Sequence, residues 1–267
     1  MRSIKELVNL SGRLALVTGG TGHIGKVMIE TLAELGANIF ILDQDINKIN
    51  DFAKLIKKKY NIEVFSLQVD LEKSEEILNV KPLIKKHFGS LDILVNNAAF
   101  VGTSDISGWI NSFEKQTTKT WRRALEVNLT AAFELTKICN ELLKKSKNAS
   151  VINIASTYGV VGPNLSLYND TEMGNPAAYA ASKGGLIQLT RWLATSLAPS
   201  IRINAISPGG IERDQPEKFK KRYISHTPLG RMGTEEDLKG VIAFLASDLS
   251  AYVTGQNILV DGGWTSW

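Results

Sequence analysis

Short runs of apolar residues alternate along this chain with longer stretches in which apolar positions recur every three or four residues. Leu14-Ala15-Leu16-Val17, Ala37 to Leu42, Glu63 to Gln68, Leu91 to Val95, Ser150 to Ala155, Arg202 to Ser207 and Asn257 to Val260 read as strands, most of them apolar enough to be covered on both faces. Helices are predicted after Gly25, through Val27, Leu32 and Leu35, and then over 46–60, Ser74 to Phe88, 118–145, 177–198 and Thr234 to Ser247. The polar stretch from Val101 to Lys119, and the segments 157–176 and 211–231, read as loops. No linker, repeat or low-complexity tract interrupts the alternation. It predicts an α/β fold, one doubly wound domain over 1–267 with a parallel seven-stranded sheet.

Composition narrows the class further. With 43% hydrophobic and 22% charged residues in 267, the chain can bury one large core. Its apolar runs are strand-sized, and the opening MRSIKELVNLSGR is too polar for a signal peptide or a membrane span, so a soluble cytoplasmic protein is expected. The single cysteine, Cys139, sits in an apolar helical run without metal-ligand companions, which predicts neither an internal disulfide nor a metal. The net charge of +4 comes from scattered lysines, with runs at Lys57-Lys58-Lys59, Lys85-Lys86 and Lys144-Lys145 near helix ends, where the helix dipole favours cations. Interleaved aromatics are missing there, so no nucleic-acid partner is expected.

Three places carry chemistry. Strand Leu14–Val17 runs into Gly19, Gly20, Thr21, Gly22, His23, Ile24 and Gly25, and a helix follows. In that context glycines permit a tight turn, let backbone N–H groups approach a pyrophosphate and let the helix pack closely, as in Rossmann-type dinucleotide sites. The second strand ends in Asp43, whose carboxylate can accept hydrogen bonds from the adenosine ribose hydroxyls and would repel a 2′-phosphate. The cofactor expected is therefore NAD; the plainer alternative makes Asp43 a turn residue. The fourth strand ends in Asn97, Ala98 and Ala99, at the carboxyl edge where ligands of such sheets bind. Finally, Tyr179 and Lys183 lie four residues apart on a predicted helix and share a face. A lysine ammonium beside a phenol lowers the phenol's pKa and suits it to proton transfer. Taken alone, the pair reads as a surface tyrosine with a solvated neighbour.

Together with Asp70-Leu71, Asn128, Ser156, Pro208-Gly209, Gly255-Gln256 and Val260-Asp261-Gly262-Gly263, these motifs resemble the short-chain dehydrogenase/reductase family from Leu14 to Gly263. The resemblance implies a catalytic tetrad of Asn128, Ser156, Tyr179 and Lys183, and a homotetramer. It also implies a nicotinamide cofactor held by Gly19, Gly22, His23, Ile24, Gly25, Asp43, Asp70, Leu71, Asn97, Ala98, Ala99, Tyr179, Lys183, Pro208, Gly209 and Ile211. Three departures stand out. His23 occupies a position where short members commonly carry glycine. Glu212-Arg213 replaces a threonine that meets the nicotinamide, leaving that task to the Ile211 backbone. Twenty-two residues separate Ser156 from Tyr179, more than most relatives place there.

That extra length and the facing loop are expected to select the substrate. Asn164, Ser166, Tyr168, Asn169, Asp170 and Asn175 are polar, and Arg213, Lys218, Lys220, Lys221 and Arg222 are basic, which suggests a small polar, sugar- or polyol-like substrate touching Ser156, Tyr179, Tyr168 and Arg213. The region around the insertion is similar to a branch of the family linked to surface-carbohydrate and flagellin-glycan pathways. Two alternatives are a 3-oxoacyl-carrier-protein reductase and a non-catalytic NAD-sensing protein. Apolar residues on two of the predicted helices, Leu125, Leu129, Leu186, Leu189 and Trp192, are expected to form subunit contacts.

Overall fold

A computed structural model describes residues 1–101, 106–110 and 112–267. Seven strands, β1 Leu14–Thr18, β2 Asn38–Asp43, β3 Val64–Gln68, β4 Ile93–Asn96, β5 Ala149–Ile154, β6 Ile201–Pro208 and β7 Asn257–Val260, form one sheet in the order β3-β2-β1-β4-β5-β6-β7. Every pairing is parallel. The helices are α1 Ile4–Val8, α2 His23–Glu34, α3 Ile46–Tyr60, α4 Ser74–Ile77, α5 Val80–His87, α6 Thr118–Leu125, α7 Ala131–Leu143, α8 Ala177–Leu197, α9 Glu217–Ser225 and α10 Lys239–Ala246.

Successive strand residues point to opposite faces, and both faces are covered. Val17, Ile39, Ile41 and Ile152 pack against Met28 and Leu32 of α2, Phe52 of α3 and Ile242 of α10. Leu16, Phe40, Leu94 and Val151 pack against Ile84 of α5, Leu135 of α7 and Leu193 of α8. This double cover explains the almost unbroken apolar strands. The winding direction reverses between β1 and β4, which opens a crevice at their carboxyl ends.

Several elements differ from expectation. The helix expected from Ser74 to Phe88 is two helices, broken at Leu78 and Asn79. Pro82 explains the break, since its ring excludes a helical carbonyl four residues earlier, whereas the first turn of α5 tolerates it. The long helix over 118–145 widens by a π turn over Glu126–Thr130 and ends at Leu143. The first turn of the helix expected from Thr234 is a 3₁₀ turn, Glu235–Leu238. Helix α9 lies inside a segment expected to be loop, because its sole buried residues, Phe219 and Tyr223, are too sparse to register as a period. Residues 102–105 and 111, part of the polar stretch from Val101 to Lys119, lie outside the described residues. No helix among the described residues is long and apolar enough to cross a membrane.

Candidate active site

The crevice between β1 and β4 is a cleft of about 650 Å³. Its floor is the glycine turn. Gly22 caps α2 without any side-chain hydrogen bond, which leaves the N–H groups of the first turn to a ligand. At Gly25 an added Cβ would lie 2.1 Å from the Gly19 carbonyl oxygen, so the helix can approach the turn this closely only without a side chain. An open turn under an uncapped helix N-terminus fits a dinucleotide pyrophosphate.

Asp43 stands at the end of β2 on the wall of the same cleft. Its Oδ2 accepts from the Thr21 N–H at 2.8 Å and the Thr21 hydroxyl at 2.7 Å, and its Oδ1 accepts from Gln44 N–H at 2.8 Å. Asp43 therefore ties the glycine turn to β2 and keeps one acceptor position, on Oδ1, for a ribose hydroxyl. Thr21 stands in the glycine motif but is not among the cofactor residues that the resemblance implies. Leu71 and Val69 line the cleft, whereas Asp70 turns outward to the backbone N–H of Glu72 at 3.0 Å and to Lys73 at 3.7 Å. His23 opens α2 with its side chain 70% exposed and Nδ1 3.9 Å from Glu235 Oε1, the atom that also accepts from Arg213 Nε at 3.1 Å.

On the β4 side, Asn97 donates from Nδ2 to the Thr18 carbonyl at 2.9 Å and the Gly19 carbonyl at 3.1 Å. The Thr18 hydroxyl accepts from Asn97 N–H and Ala98 N–H, both at 2.9 Å. Thr18, which opens the glycine motif but is not among the cofactor residues that the resemblance implies, thus ties the two strand ends together. Asn128 sits in the π turn, 2% exposed, and does not line the cleft. Its Oδ1 accepts from Phe100 N–H at 2.6 Å and its Nδ2 donates to Ser182 Oγ at 3.0 Å, so it joins the chain after β4 to α8.

Ser156, Tyr179 and Lys183 converge on the far end of the cleft. Ser156 follows β5, and three residues farther on Gly159 lets its segment press against α8, where a Cβ would come 2.7 Å from the Lys183 carbonyl carbon. Tyr179 and Lys183 project from α8 one turn apart, as their spacing predicted. The expected coupling between them takes a different form. Lys183 Nζ donates to the Ile154 carbonyl at 2.7 Å and lies 5.8 Å from the Tyr179 ring centre. Burial without a carboxylate partner brings the lysine down to about 8. Burial also pushes the Tyr179 phenol up, opposed by a hydrogen bond from Ser156. The phenol is consequently protonated at neutral pH, a proton donor at rest.

The substrate loops are not a solvated polar wall. Leu167 is fully buried, and it packs with Phe219, Tyr223, Met232 and Trp264, flanked by Tyr158, Tyr168 and Met173. Of the polar residues noted in the sequence, Ser166, Asn169 and Asp170 are exposed, whereas Tyr168 packs against the cluster with its ring. Basic residues there are largely occupied. Arg222 binds the carbonyls of Leu167 and Asn169 and the Asp170 carboxylate, and Lys220 pairs with Glu212 at 3.4 Å and Glu217 at 3.5 Å. Arg213 alone of these lines the cleft, and Tyr168 is not part of its lining. Ile211 also lies outside the lining, its carbonyl accepting from Gln215 at 2.7 Å. Pro208 and Gly209 do line it.

A doubly wound parallel sheet with an open glycine turn, a strand-end carboxylate and a Ser, Tyr and Lys set in one cleft defines a nicotinamide-dependent oxidoreductase. A family model described as Enoyl-(Acyl carrier protein) reductase matches residues 21–265. The 3-oxoacyl-acyl-carrier-protein reductase of Aquifex aeolicus is 33% identical over 261 residues, 96% of this chain and 98% of that protein. Among solved structures, a short-chain dehydrogenase of Leptospira borgpetersenii with bound NAD⁺ has a TM-score of 0.84 at 35% identity, covering 99% of this chain and 96% of that one. A gluconate 5-dehydrogenase of Burkholderia cenocepacia in complex with NADP and tartrate has a TM-score of 0.85 at 28% identity, covering 99% and 100%. The chain belongs to the short-chain dehydrogenase/reductase family.

Proposed function

We propose that the chain transfers a hydride reversibly between NAD(H) and the hydroxyl-bearing or carbonyl carbon of a small polar substrate, sugar- or polyol-like. The observation that carries this reading is the meeting of Ser156, Tyr179 and Lys183 with Gly19, Gly22, Gly25 and Asp43 in one cleft. When bound, the nicotinamide supplies or accepts the hydride. In the reducing direction the substrate oxygen takes the Tyr179 proton as hydride reaches its carbon, and Ser156 donates a hydrogen bond to that oxygen as charge develops. Lys183, buried and charged below about 8, favours the phenolate that remains until solvent returns the proton. In oxidation the same groups act in reverse. Asn128 positions this set through Phe100 and Ser182.

The choice of NAD rests on Asp43, whose negative charge opposes a 2′-phosphate even with three of its acceptor positions used. The expected preference in kcat/KM is roughly ten- to a hundredfold for NAD, the equivalent of one hydrogen bond to a charged group. Asp43→Ser should narrow it. A wild-type enzyme that uses NADP equally well would show that Asp43 serves the turn alone.

The relatives support a second reading, reduction of a 3-oxoacyl thioester, and the buried aromatic cluster beside the loops accords with an apolar chain. One screen separates the two: sugars, polyols and their oxidised forms against an acetoacetyl thioester, each with NAD(H) and NADP(H), followed by cofactor absorbance.

A homotetramer belongs to the same proposal. Trp121 on α6, Phe133 on α7 and Trp192 on α8 are 38%, 40% and 59% exposed, whereas Leu186 is buried within the subunit and contributes nothing to an interface. Large aromatics exposed on neighbouring helices mark a subunit contact. Sedimentation should give a tetramer at micromolar concentration; a monodisperse monomer would rule this arrangement out.

A further inference from the structure

Arg213 lines the cofactor cleft with most of its hydrogen-bond donors unused. Its Nε donates to Glu235 Oε1 at 3.1 Å, and neither Nη1 nor Nη2 has an acceptor among the described residues. A guanidinium offers five N–H groups in one plane, so committing Nε leaves the outer edge of the fork open for two parallel bonds. The backbone that carries it is fixed as well. Glu212 N–H donates to the Gly233 carbonyl at 2.8 Å and Gly233 N–H to the Gly210 carbonyl at 2.9 Å, while Arg213 N–H donates to Gln215 Oε1 at 2.7 Å. A fixed stem with an open outer edge is prepared for a ligand in the cleft.

The neighbours of Arg213 decide which ligand. Glu235 Oε1 also lies 3.9 Å from Nδ1 of His23, the first residue of α2. One carboxylate oxygen thus joins the loop after β6 to the N-terminus of α2, the end whose uncapped N–H groups fit the pyrophosphate. The sequence suggested that Arg213 touches the substrate; its neighbours put it at the pyrophosphate end of the cleft instead.

A pyrophosphate held by backbone N–H groups on one side keeps further oxygens, and its negative charge, for a cation. The other cationic side chains of the cleft lining are drawn elsewhere: Lys48 pairs with Asp45 at 3.3 Å, Lys26 lies 5.7 Å from the centre of the Phe52 ring, and Lys183 donates to the Ile154 carbonyl. Arg213 has the planar fork that matches a phosphate. Its pairing with Glu235 also keeps that carboxylate from standing near the phosphates as a bare charge.

We propose that Arg213 clamps the cofactor pyrophosphate from the β6 side of the cleft, so that the Glu212-Arg213 departure moves a cofactor contact from the nicotinamide to the phosphates. This rests on the reading of the cleft as a nicotinamide-dinucleotide site. The test is calorimetric titration with NADH and with ADP-ribose, which has the pyrophosphate and no nicotinamide. Arg213→Gln should weaken both by ~10-fold or more, the worth of one charge-assisted pair. Arg213→Lys keeps the charge without the fork and should fall between the two. Lys220→Gln removes a charge from the same loop at a residue outside the cleft lining, and should leave both affinities within about twofold, as an exposed and screened charge does. Arg213→Gln with wild-type affinity for both ligands overturns the clamp. A loss confined to NADH overturns it too, because it places the guanidinium at the nicotinamide, and so does an equal loss in Lys220→Gln, which marks a general effect of charge. The two readings fail separately: wild-type protein that binds neither NADH nor ADP-ribose overturns the dinucleotide site and the clamp with it, whereas firm binding that Arg213→Gln leaves intact overturns the clamp alone.

Discussion

Tyr179→Phe is expected to lower turnover by at least roughly 10²–10⁴-fold, the contribution of a positioned general acid or base. The substitution removes one oxygen from a ring held on α8 and leaves the glycine turn, Asp43 and the Thr18–Asn97 clasp untouched. NADH binding, followed by fluorescence titration, should stay within a few-fold of wild type. A fall in kcat with little change in cofactor affinity identifies a group that acts in the transition state. Near-normal turnover would end the mechanistic reading, because among the described residues no other side chain in the cleft combines a protonated hydroxyl with Ser156 and Lys183 as neighbours. The raised phenol gives the prediction a direction as well. Tyr179 is protonated at rest, so the reductive half-reaction loses its proton donor outright in this variant.

Gly25→Ala should have the second largest effect, on cofactor binding rather than chemistry. The new Cβ would stand 2.1 Å from the Gly19 carbonyl oxygen and 2.9 Å from Gly20 Cα. Both are backbone atoms, so no flexible side chain can yield. The N-terminus of α2 would have to retreat by about 1 Å in a close-packed interior. A displacement of that size at a binding constellation costs about 100-fold, and NADH affinity should fall at least that far. Overpacking of this kind also destabilises by about 1–3 kcal/mol, which calorimetry would register as a lower melting temperature. Gly240→Ala is the matched control. Its Cβ meets nothing within 4 Å on helix α10, and replacing a helical glycine by alanine there should stabilise slightly. If Gly25→Ala binds NADH as tightly as wild type, the turn is not the pyrophosphate site.

Sequence alone determined the parts of this protein that depend on neighbours within one or two turns of chain. The glycine turn between a strand and a helix, the one-turn spacing of Tyr179 and Lys183, and the doubly covered strands are local patterns, and local geometry turns each into structure without outside help. The break before α5 was equally local, written in Pro82, though the apolar period ran across it. What the tertiary structure decided is where the polar groups at the ends of those patterns find partners. Asp43 meets Thr21, Thr18 meets Asn97, Asn128 meets Phe100 and Ser182, and the Lys183 ammonium meets the Ile154 carbonyl. Each pairing joins segments brought together when the sheet closes, and composition carries no record of it. The same reason explains the substrate loops. Their polar residues outnumber the apolar ones, so the sequence reads as a wet wall, yet Leu167, Phe219, Tyr223 and Trp264 come from three distant stretches and meet only in the folded chain. A few buried side chains, one or two to a segment, are invisible as a period and decisive as a cluster, because burial is a property of the assembled surface and not of the segment.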